Sequence, residues 1–328
     1  MSYKRITTPK VFTDWVNWMR SSGKKSLGEL VSSDGCNIGV IEDAFDGNPV
    51  TFCKFDTYNE SEFVVKVATQ KSGASQNINY VAFLGHGMKS ADASFRIGLD
   101  SSSSLGASAT YPAMTGVVNG TISGGYCTPS QNGWTLVTFT PIGSDNGNLY
   151  IQFKDSTQSG TMDVDMIMGC IMTGMTYDFK TRPSLSHKIS KEFDNKLVQS
   201  LGGARYSVRY NNGHNLWAGE WTKWTANNNA DLQEARVGRT IFNLSWSFVN
   251  DTDMFREVDT SSTGDEYYVS DTIENMLLHK VHGSHNPFII QLDPNDHGSY
   301  YLVRMTKHSM QQTAPNLWTF SCTLEEEL

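Results

Sequence analysis

The sequence has few cysteines, and none of them belongs to a recognisable motif. The five cysteines are isolated, odd in number and never spaced C-x-x-C: Cys36, Cys53, Cys127, Cys170 and Cys322. A disulfide framework or a cysteine-based zinc site needs paired or closely spaced cysteines. We therefore expect buried free thiols, as in a chain that folds in a reducing compartment.

The chain also lacks positive charge and long apolar runs. Its net charge is −8, neither half is basic, and 18% of the residues are charged, against about 25% in an average domain. Binding to phosphate backbones needs a basic surface, so we predict no nucleic-acid partner. No stretch reaches the roughly 18 apolar residues of a membrane span, and the N-terminus has no apolar signal core. We predict no membrane insertion and no cleaved export signal.

The common catalytic motifs are missing as well. The sequence contains no G-x-S-x-G, no H-E-x-x-H and no phosphate-binding loop, so we predict that the protein is not an enzyme. A glycan-degrading accessory protein stays open as an alternative, because paired catalytic carboxylates can be far apart in a sequence. Asp163 and Asp165 are two residues apart, and on a strand they would share one face.

What the sequence does contain is the pattern of β-structure. Short apolar or alternating runs are separated by clusters of Gly, Asn, Ser and Asp, as in residues 148–155, where every second side chain is apolar. Strands without intervening helices predict a jelly-roll β-sandwich over residues 30–175. An N-terminal extension, residues 1–29, precedes it, and helical spacing of apolar residues predicts a helix over residues 9–20.

The composition changes after residue 175. Residues 176–204 are charged, with a Pro and a Gly-Gly, and indicate an extended arm that either bridges subunits or connects domains. Residues 205–328 predict a β-rich α+β domain with one helix near residues 270–282, capped by Asp271 and stopped by Gly283. The predicted fold class is thus mainly β, a jelly-roll β-sandwich followed by this second domain.

One predicted strand of the second domain has a clear apolar face. It begins near residue 240, and its alternation places four large side chains on the same side: Phe242, Leu244, Trp246 and Phe248. The intervening asparagine and serines would face the other way.

Several histidines and acidic residues are candidate sites. His279, His282 and His285 could approach a metal, but polar residues at a helix C-terminus explain them better. His86 could be a general base, but a loop residue bonded to backbone is the favoured interpretation. The Asp-rich segment 292–301 does not have calcium-loop spacing and predicts a hairpin or Asx-turn.

The segment AFDGNPVTF, residues 44–52, resembles the A-x-D-G-N-x-x-T segment of discoidin-type (F5/8 type C-like, galactose-binding-like) jelly-roll domains. The resemblance covers about residues 30–175, with Phe52-Cys53 where those domains have Trp. It implies loops that bind glycans or lipid head groups, and a structural Ca²⁺ held by Asp46, Asn48 and Thr51, whose oxygen atoms suit that ion.

Aromatic side chains are the usual stacking partners of sugars. The candidates for glycan binding in the predicted sandwich are Tyr111, Tyr126 and Trp134. Each could instead be a core residue or a strand-edge residue.

The C-terminal pattern resembles a second family. An arm, strands, one helix and a hairpin ending in NLWTFSCTLEEEL are similar to distal-tail and tail-tube-related proteins of tailed bacteriophages. This resemblance implies a structural protein of the virion tail or baseplate, present as a homo-oligomeric ring with other tail proteins as partners. Its jelly roll would face host cell-surface glycans, and assembly in the host cytoplasm would need no signal peptide. The alternative is a free-standing, lectin-like carbohydrate-binding protein.

Overall fold

The computed structural model describes residues 6–23, 25–33, 36–49, 51–69, 78–101, 104–106, 109–140, 147–192, 195–199, 205–209, 239–256, 271–296 and 299–327. Parts of the predicted arm and of the second domain, including residues 210–238 and 257–270, lie outside these ranges.

The described residues form a mainly β protein, as predicted. The strands are β1 Lys10–Asp14, β2 Val31–Ser33, β3 Cys53–Phe55, β4 Glu62–Ala68, β5 Tyr80–His86, β6 Ala93–Asp100, β7 Met114–Val118, β8 Gly120–Ser123, β9 Tyr126–Pro129, β10 Gly133–Phe139, β11 Asn148–Asp155, β12 Met166–Met168, β13 Cys170–Asp178, β14 Lys188–Glu192, β15 Asn195–Gln199, β16 Arg205–Arg209, β17 Arg239–Asn250, β18 Phe288–Gln291, β19 Tyr300–Ala314 and β20 Leu317–Glu326. The helices are α1 Trp15–Ser21, α2 Leu27–Leu30 and α3 Asp251–Met254, with a 3₁₀ turn at Ile41–Phe45 and a π-helical segment at Glu274–His279.

Two sheets make the sandwich. The large sheet has the order β14-β17-β20-β19-β18-β1-β13-β5-β10-β7, and the small sheet has the order β2-β4-β11-β6-β9-β8. Their facing sides bury a core in which the Phe83 ring lies 4.7 Å from Phe95 and 5.9 Å from Phe153. Trp15 and Trp18 of α1 belong to the same core. Two packed antiparallel sheets around one apolar core are the predicted β-sandwich.

The large sheet continues from the sandwich into the C-terminal strands. β1 is the joint, because it pairs with β13 on one side and with β18 on the other. The Trp134 ring on β10 lies 5.5 Å from the Tyr300 ring on β19, although these strands are five positions apart in the sheet. A flat sheet would separate them by about 24 Å. The sheet therefore curls, and its concave side encloses a group of buried residues from the sandwich strands and the C-terminal strands, here called the shared core: Phe12, Tyr80, Ala82, Leu84, Val118, Trp134, Leu136, Cys170, Met172, Ile289, Tyr300 and Leu302.

The predicted N-terminal helix over residues 9–20 is wrong in its first half. Residues 10–14 are β1, and α1 begins only at Trp15. Asp14 ends the strand and caps the helix, since its carboxylate accepts a hydrogen bond from the Val16 amide at 3.0 Å. Val11 and Phe12 are buried and pair with residues on both neighbouring strands, and this tertiary pairing outweighs the helical spacing.

The predicted apolar face of β17 is correct for three residues and wrong for Phe248. Phe242, Leu244 and Trp246 are buried, whereas Phe248 is 71% exposed. The pairing of β17 with β20 slips between Trp246 and Val249, which is a β-bulge. The extra residue turns Phe248 outward and puts Val249 into the core instead.

The predicted helix near residues 270–282 is present in shorter form, as the π-helical segment Glu274–His279. Four apolar side chains in and around the segment are buried: Ile273, Met276, Leu277 and Val281. The Thr272 hydroxyl, rather than Asp271, accepts the hydrogen bond from the Asn275 amide. The segment ends at His279, and Gly283, with φ +63°, lies in the turn that follows. No helix among the described residues is both long and apolar enough to cross a membrane.

Candidate functional site

The outer side of the small sheet carries polar and aromatic side chains, because strand residues alternate between its two sides. Gln152 on β11 lies between Val64 on β4 and Arg96 on β6 in the strand register. Tyr126 begins β9, the next strand along. The residues that alternate with Gln152 along β11, such as Ile151 and Phe153, face the core. This register assembles a row of side chains from four strands.

Arg96 is the centre of this row. Its guanidinium carbon lies 3.8 Å from the centre of the Tyr111 ring and 4.9 Å from that of Tyr126. Its Nη2 donates to the Tyr111 hydroxyl at 3.0 Å, and its Nε donates to the Gln152 side-chain oxygen. A planar cation close to two aromatic rings is a favourable arrangement, and it holds both tyrosines in place.

A chain of hydrogen bonds extends from Arg96 across the sheet. The buried Gln152 amide donates to Glu62, and its oxygen also accepts from the Tyr126 hydroxyl at 3.4 Å. The other Glu62 oxygen lies 3.3 Å from the Lys154 ammonium. Burial raises the pKa of Tyr126, and the Arg96 charge opposes that rise. Every polar group in this chain therefore has a fixed orientation.

Tyr111 reaches the sheet because Gly98 leaves room for it. The backbone groups of Thr110 and Leu99 exchange two hydrogen bonds of 2.9 Å, which fixes this segment at the end of β6. A Cβ atom at position 98 would lie 3.2 Å from the Tyr111 ring and 3.0 Å from Leu105. The absence of a side chain at Gly98 thus positions the Tyr111 ring beside Arg96.

A cleft lies next to this row on the same side of the sheet. Its volume is about 260 Å³, and its lining residues are Ser32, Ser33, Glu62, Val64, Lys66, Ser104, Leu105 and Tyr150. Tyr111 is 41% exposed, so part of its ring is open to solvent. We call Tyr111, Tyr126, Arg96, Gln152 and Glu62 together the tyrosine–arginine face. It offers the exposed part of the Tyr111 ring, with donors and acceptors, beside a cleft.

The structure brings two of the three predicted glycan residues together and separates the third. Tyr111 and Tyr126 both contact Arg96, but Tyr126 is only 6% exposed, so of the two it is Tyr111 whose ring is open to solvent. Trp134 is 7% exposed and lies in the shared core. Sequence reasoning did not find Arg96 or Gln152. Alternation within β6 and β11 places both on the polar side, but only the register of the sheet shows that they meet.

The three residues predicted as a calcium loop form a closed turn. The Asp46 carboxylate accepts hydrogen bonds of 2.6 Å from the Asn48 amide and from the Thr51 hydroxyl. That hydroxyl also lies 2.8 Å from the Asn48 carbonyl. Ca²⁺ takes about six to eight oxygen ligands, and among the described residues no group of three or more His, Cys, Asp or Glu side chains could hold a metal. These contacts are those of an Asx-turn, and the calcium site stays a prediction.

The histidines have structural partners. His86 is buried, with Nε2 2.9 Å from the Thr135 hydroxyl, and its Nδ1 accepts from the Met88 amide at 3.3 Å. Burial lowers the pKa of His86 to about 3, so the ring is neutral at pH 7. His282 contacts the Ser22 hydroxyl at 3.1 Å, and burial lowers its pKa, with smaller contributions from His285 and His279.

The acidic segments fold as turns and ion pairs. The Asn295 amide donates to Asp293 at 3.0 Å, which confirms the predicted Asx-turn before β19. Asp163 and Asp165 lie in a bend before β12 and not on a strand. Asp165 bonds to the Lys54 ammonium at 3.0 Å, and hydrogen bonds from Lys54, the Tyr58 amide and Asn37 lower its pKa to about 2.

The cysteines are free thiols, as predicted. All except the half-buried Cys36 are buried. Burial raises the pKa of the Cys127 thiol to about 12 and that of Cys170 well above its usual range. Buried neutral thiols of this kind are structural and unreactive.

No protein-family model and no curated protein matches this chain. Among solved structures, one similar chain carries the CBM32-1, CBM32-2 and M60 catalytic domains of ZmpB from Clostridium perfringens, at 20% identity and a TM-score of 0.27. Another is a truncated AlyQ with CBM32 and alginate lyase domains, at 12% identity and a TM-score of 0.29. The matches cover 44% and 74% of this chain, but 14% and 49% of those chains. At such TM-scores the likeness is loose, and the sandwich is defined by its own strand pairing.

Proposed function

We propose that this protein binds a carbohydrate on the tyrosine–arginine face. The observation that carries the proposal is the partly open Tyr111 ring, held against Arg96 beside a cleft lined with hydroxyl groups. Sugars present apolar C–H faces and many hydroxyl groups, so a ring flanked by fixed donors and acceptors suits them.

The polar part of the site is already oriented in the free protein. Gln152 and Glu62 are tied to each other and to Arg96 and Lys154. Binding to a preorganised surface costs less conformational entropy than binding to side chains that must first be ordered. The lectin-like hypothesis is thus supported by contacts on the sheet surface, whereas the sequence predicted contacts in loops.

A glycan array probed with the whole chain tests this proposal. The whole chain is needed because β1 and the shared core join the sandwich to the C-terminal strands. We expect binding to a restricted group of glycans. An empty array, with circular dichroism showing a folded β protein, would rule the proposed function out.

The virion-tail hypothesis has no comparable support. Neither of the solved structures named above is described as a virion component, and the described residues offer no contact that favours this role. The homo-oligomeric ring, the tail-protein partners and the location in a virion remain predictions from the resemblance.

A further inference from the structure

Among the described residues, no carboxylate pairs with the guanidinium group of Arg96. Its described contacts are the Gln152 oxygen, the Tyr111 hydroxyl and the two tyrosine rings, all of them neutral. No described acidic side chain lies within ion-pair distance of it, and no described acceptor takes a hydrogen bond from its Nη1. Arg96 is also only partly exposed to solvent.

Glu62, the acidic group of the row, already has a cation as its partner. Glu62 pairs with Lys154 at 3.3 Å and accepts from the Gln152 amide. The positive charge of Arg96 is therefore not compensated by a described carboxylate, and it lies at the centre of a partly dehydrated site. A guanidinium with unused donors fits a carboxylate or a sulfate in a bidentate manner, and such charge-assisted hydrogen bonds are the strong ones.

We infer that the ligand of the tyrosine–arginine face is an acidic saccharide, whose anionic substituent binds Arg96 while its ring lies on Tyr111. This inference rests on the proposed function and adds the class of ligand. The two sources of the anion are the carboxylate of a uronic acid and the sulfate of a sulfated sugar. The overall charge of −8 repels polyanions, so binding of an acidic glycan must come from a local site.

Affinity electrophoresis of the whole chain in polysaccharide gels tests the inference. The matched ligand pairs are polygalacturonate with its carboxyl-reduced form, and dextran sulfate with dextran. We expect retardation by at least one acidic member and about tenfold weaker or no retardation by its neutral partner. Raising NaCl from 50 to 500 mM should weaken the binding, because the attraction is screened.

Arg96→Gln and Arg96→Lys are the informative variants. We expect Arg96→Gln to lose about 10- to 100-fold in affinity for the acidic ligand, and Arg96→Lys to lose less, since it keeps the charge but not the planar fork. Lys191→Gln, an exposed cation on β14, is the control for lost charge. Thermal unfolding midpoints show whether each variant is folded.

The outcomes separate the inference from the proposed function. Equal retardation by acidic and neutral partners, or acidic binding that Arg96→Gln leaves unchanged, would overturn the inference and leave carbohydrate binding intact. Failure to bind any glycan, on the array and in the gels, would overturn both.

Discussion

His86 is an imidazole held neutral between β5 and β10. Its pKa is about 3 in the folded protein and about 6.5 in an unfolded chain. As the pH falls, the imidazole is protonated in the unfolded chain before it is protonated in the folded protein. The stability that comes from the neutral ring is therefore present above pH 6.5 and is lost as the pH falls towards 3.

We predict from this that the free energy of unfolding falls by about 3 kcal/mol between pH 6.5 and pH 4 through His86 alone. Urea unfolding at the two pH values should show a clearly smaller loss for His86→Gln than for the wild type. The control is His308→Gln, which changes an exposed histidine. An identical pH dependence in wild type and His86→Gln would contradict the assignment.

Asp14 has the opposite effect on the pH dependence of stability. Burial raises its pKa to about 6, although hydrogen bonds from Asn17 and Val16 oppose the rise. The folded protein therefore holds this proton more tightly than the unfolded chain, and the resulting stability is present below pH 3.8 and lost as the pH rises through 6. Asp14 and His86 thus partly cancel each other between pH 4 and 6.

Replacing Asp14 removes this compensation. Asn resembles the protonated carboxyl, so Asp14→Asn should lose about 2 kcal/mol more than the wild type between pH 6 and pH 4. Denaturant titrations at those two pH values measure the difference. Asp56→Asn, at an exposed site, should follow the wild type. A shallower acid loss in Asp14→Asn would show that the Asp14 pKa is not raised.

Individual residues of the site were only partly predictable. The aromatic character of Tyr111 and Tyr126 was visible in the sequence, but Trp134 has the same character and is a core residue. Alternation places Arg96 on the polar side of β6, but its contacts depend on the pairing of β6 with β11 and β9. Cross-strand register is set by long-range packing, and one sequence does not reveal it.

At the scale of elements, β1 and β13 approach unusually closely at Gly174. A Cβ atom at that position would lie 2.0 Å from the Thr13 carbonyl oxygen. Gly174→Ala should therefore force the strands apart and lower the free energy of unfolding by about 3 kcal/mol or more. Chemical denaturation measures this loss.

Gly28→Ala is the matched control for that substitution. Gly28 lies on the exposed helix α2, and its nearest neighbour, a Glu42 oxygen, would be at an ordinary 3.5 Å. Alanine is favourable in helices, so we expect no loss. Equal effects of the two substitutions would contradict the close approach of β1 and β13.

The bulge in β17 leads to a second prediction for an element. Phe248 has φ +62° and an exposed ring, a strained conformation for a bulky residue. Phe248→Gly should relieve the strain and raise the free energy of unfolding by about 1 kcal/mol. Ile122→Gly, at an exposed strand residue with ordinary φ, should instead destabilise the protein. Destabilisation by both would argue against a bulge at Phe248.

Alternation within a strand predicts the buried side where the strand pairing is regular and fails where the register slips. The apolar side of β17 holds up to Trp246, and the bulge then reverses it. The helix predicted over residues 10–14 was wrong for another reason, because the apolar residues of β1 fit both a helix and a buried strand. Only pairing with β13 and β18 decides between the two.

At the scale of the molecule, the shared core ties the two ends of the chain together. Phe12 lies between Tyr80 at 5.1 Å and Tyr300 at 5.9 Å. No local pattern predicts this joint, since its residues are far apart in the sequence. We predict one cooperative unfolding transition in calorimetry. Two well-separated transitions would show that the sandwich and the C-terminal strands unfold independently.

Carbohydrate binding through Tyr111 is the central claim for the whole molecule. Calorimetric titration of the strongest array glycan into wild type, Tyr111→Ala and Tyr58→Ala tests it most directly. Tyr58 is the control because it is a more exposed tyrosine, on a loop, whose described hydrogen bond goes to Asp165 and not to the tyrosine–arginine face. We predict about tenfold weaker binding for Tyr111→Ala and unchanged binding for Tyr58→Ala. Equal affinity of wild type and Tyr111→Ala would contradict the claim.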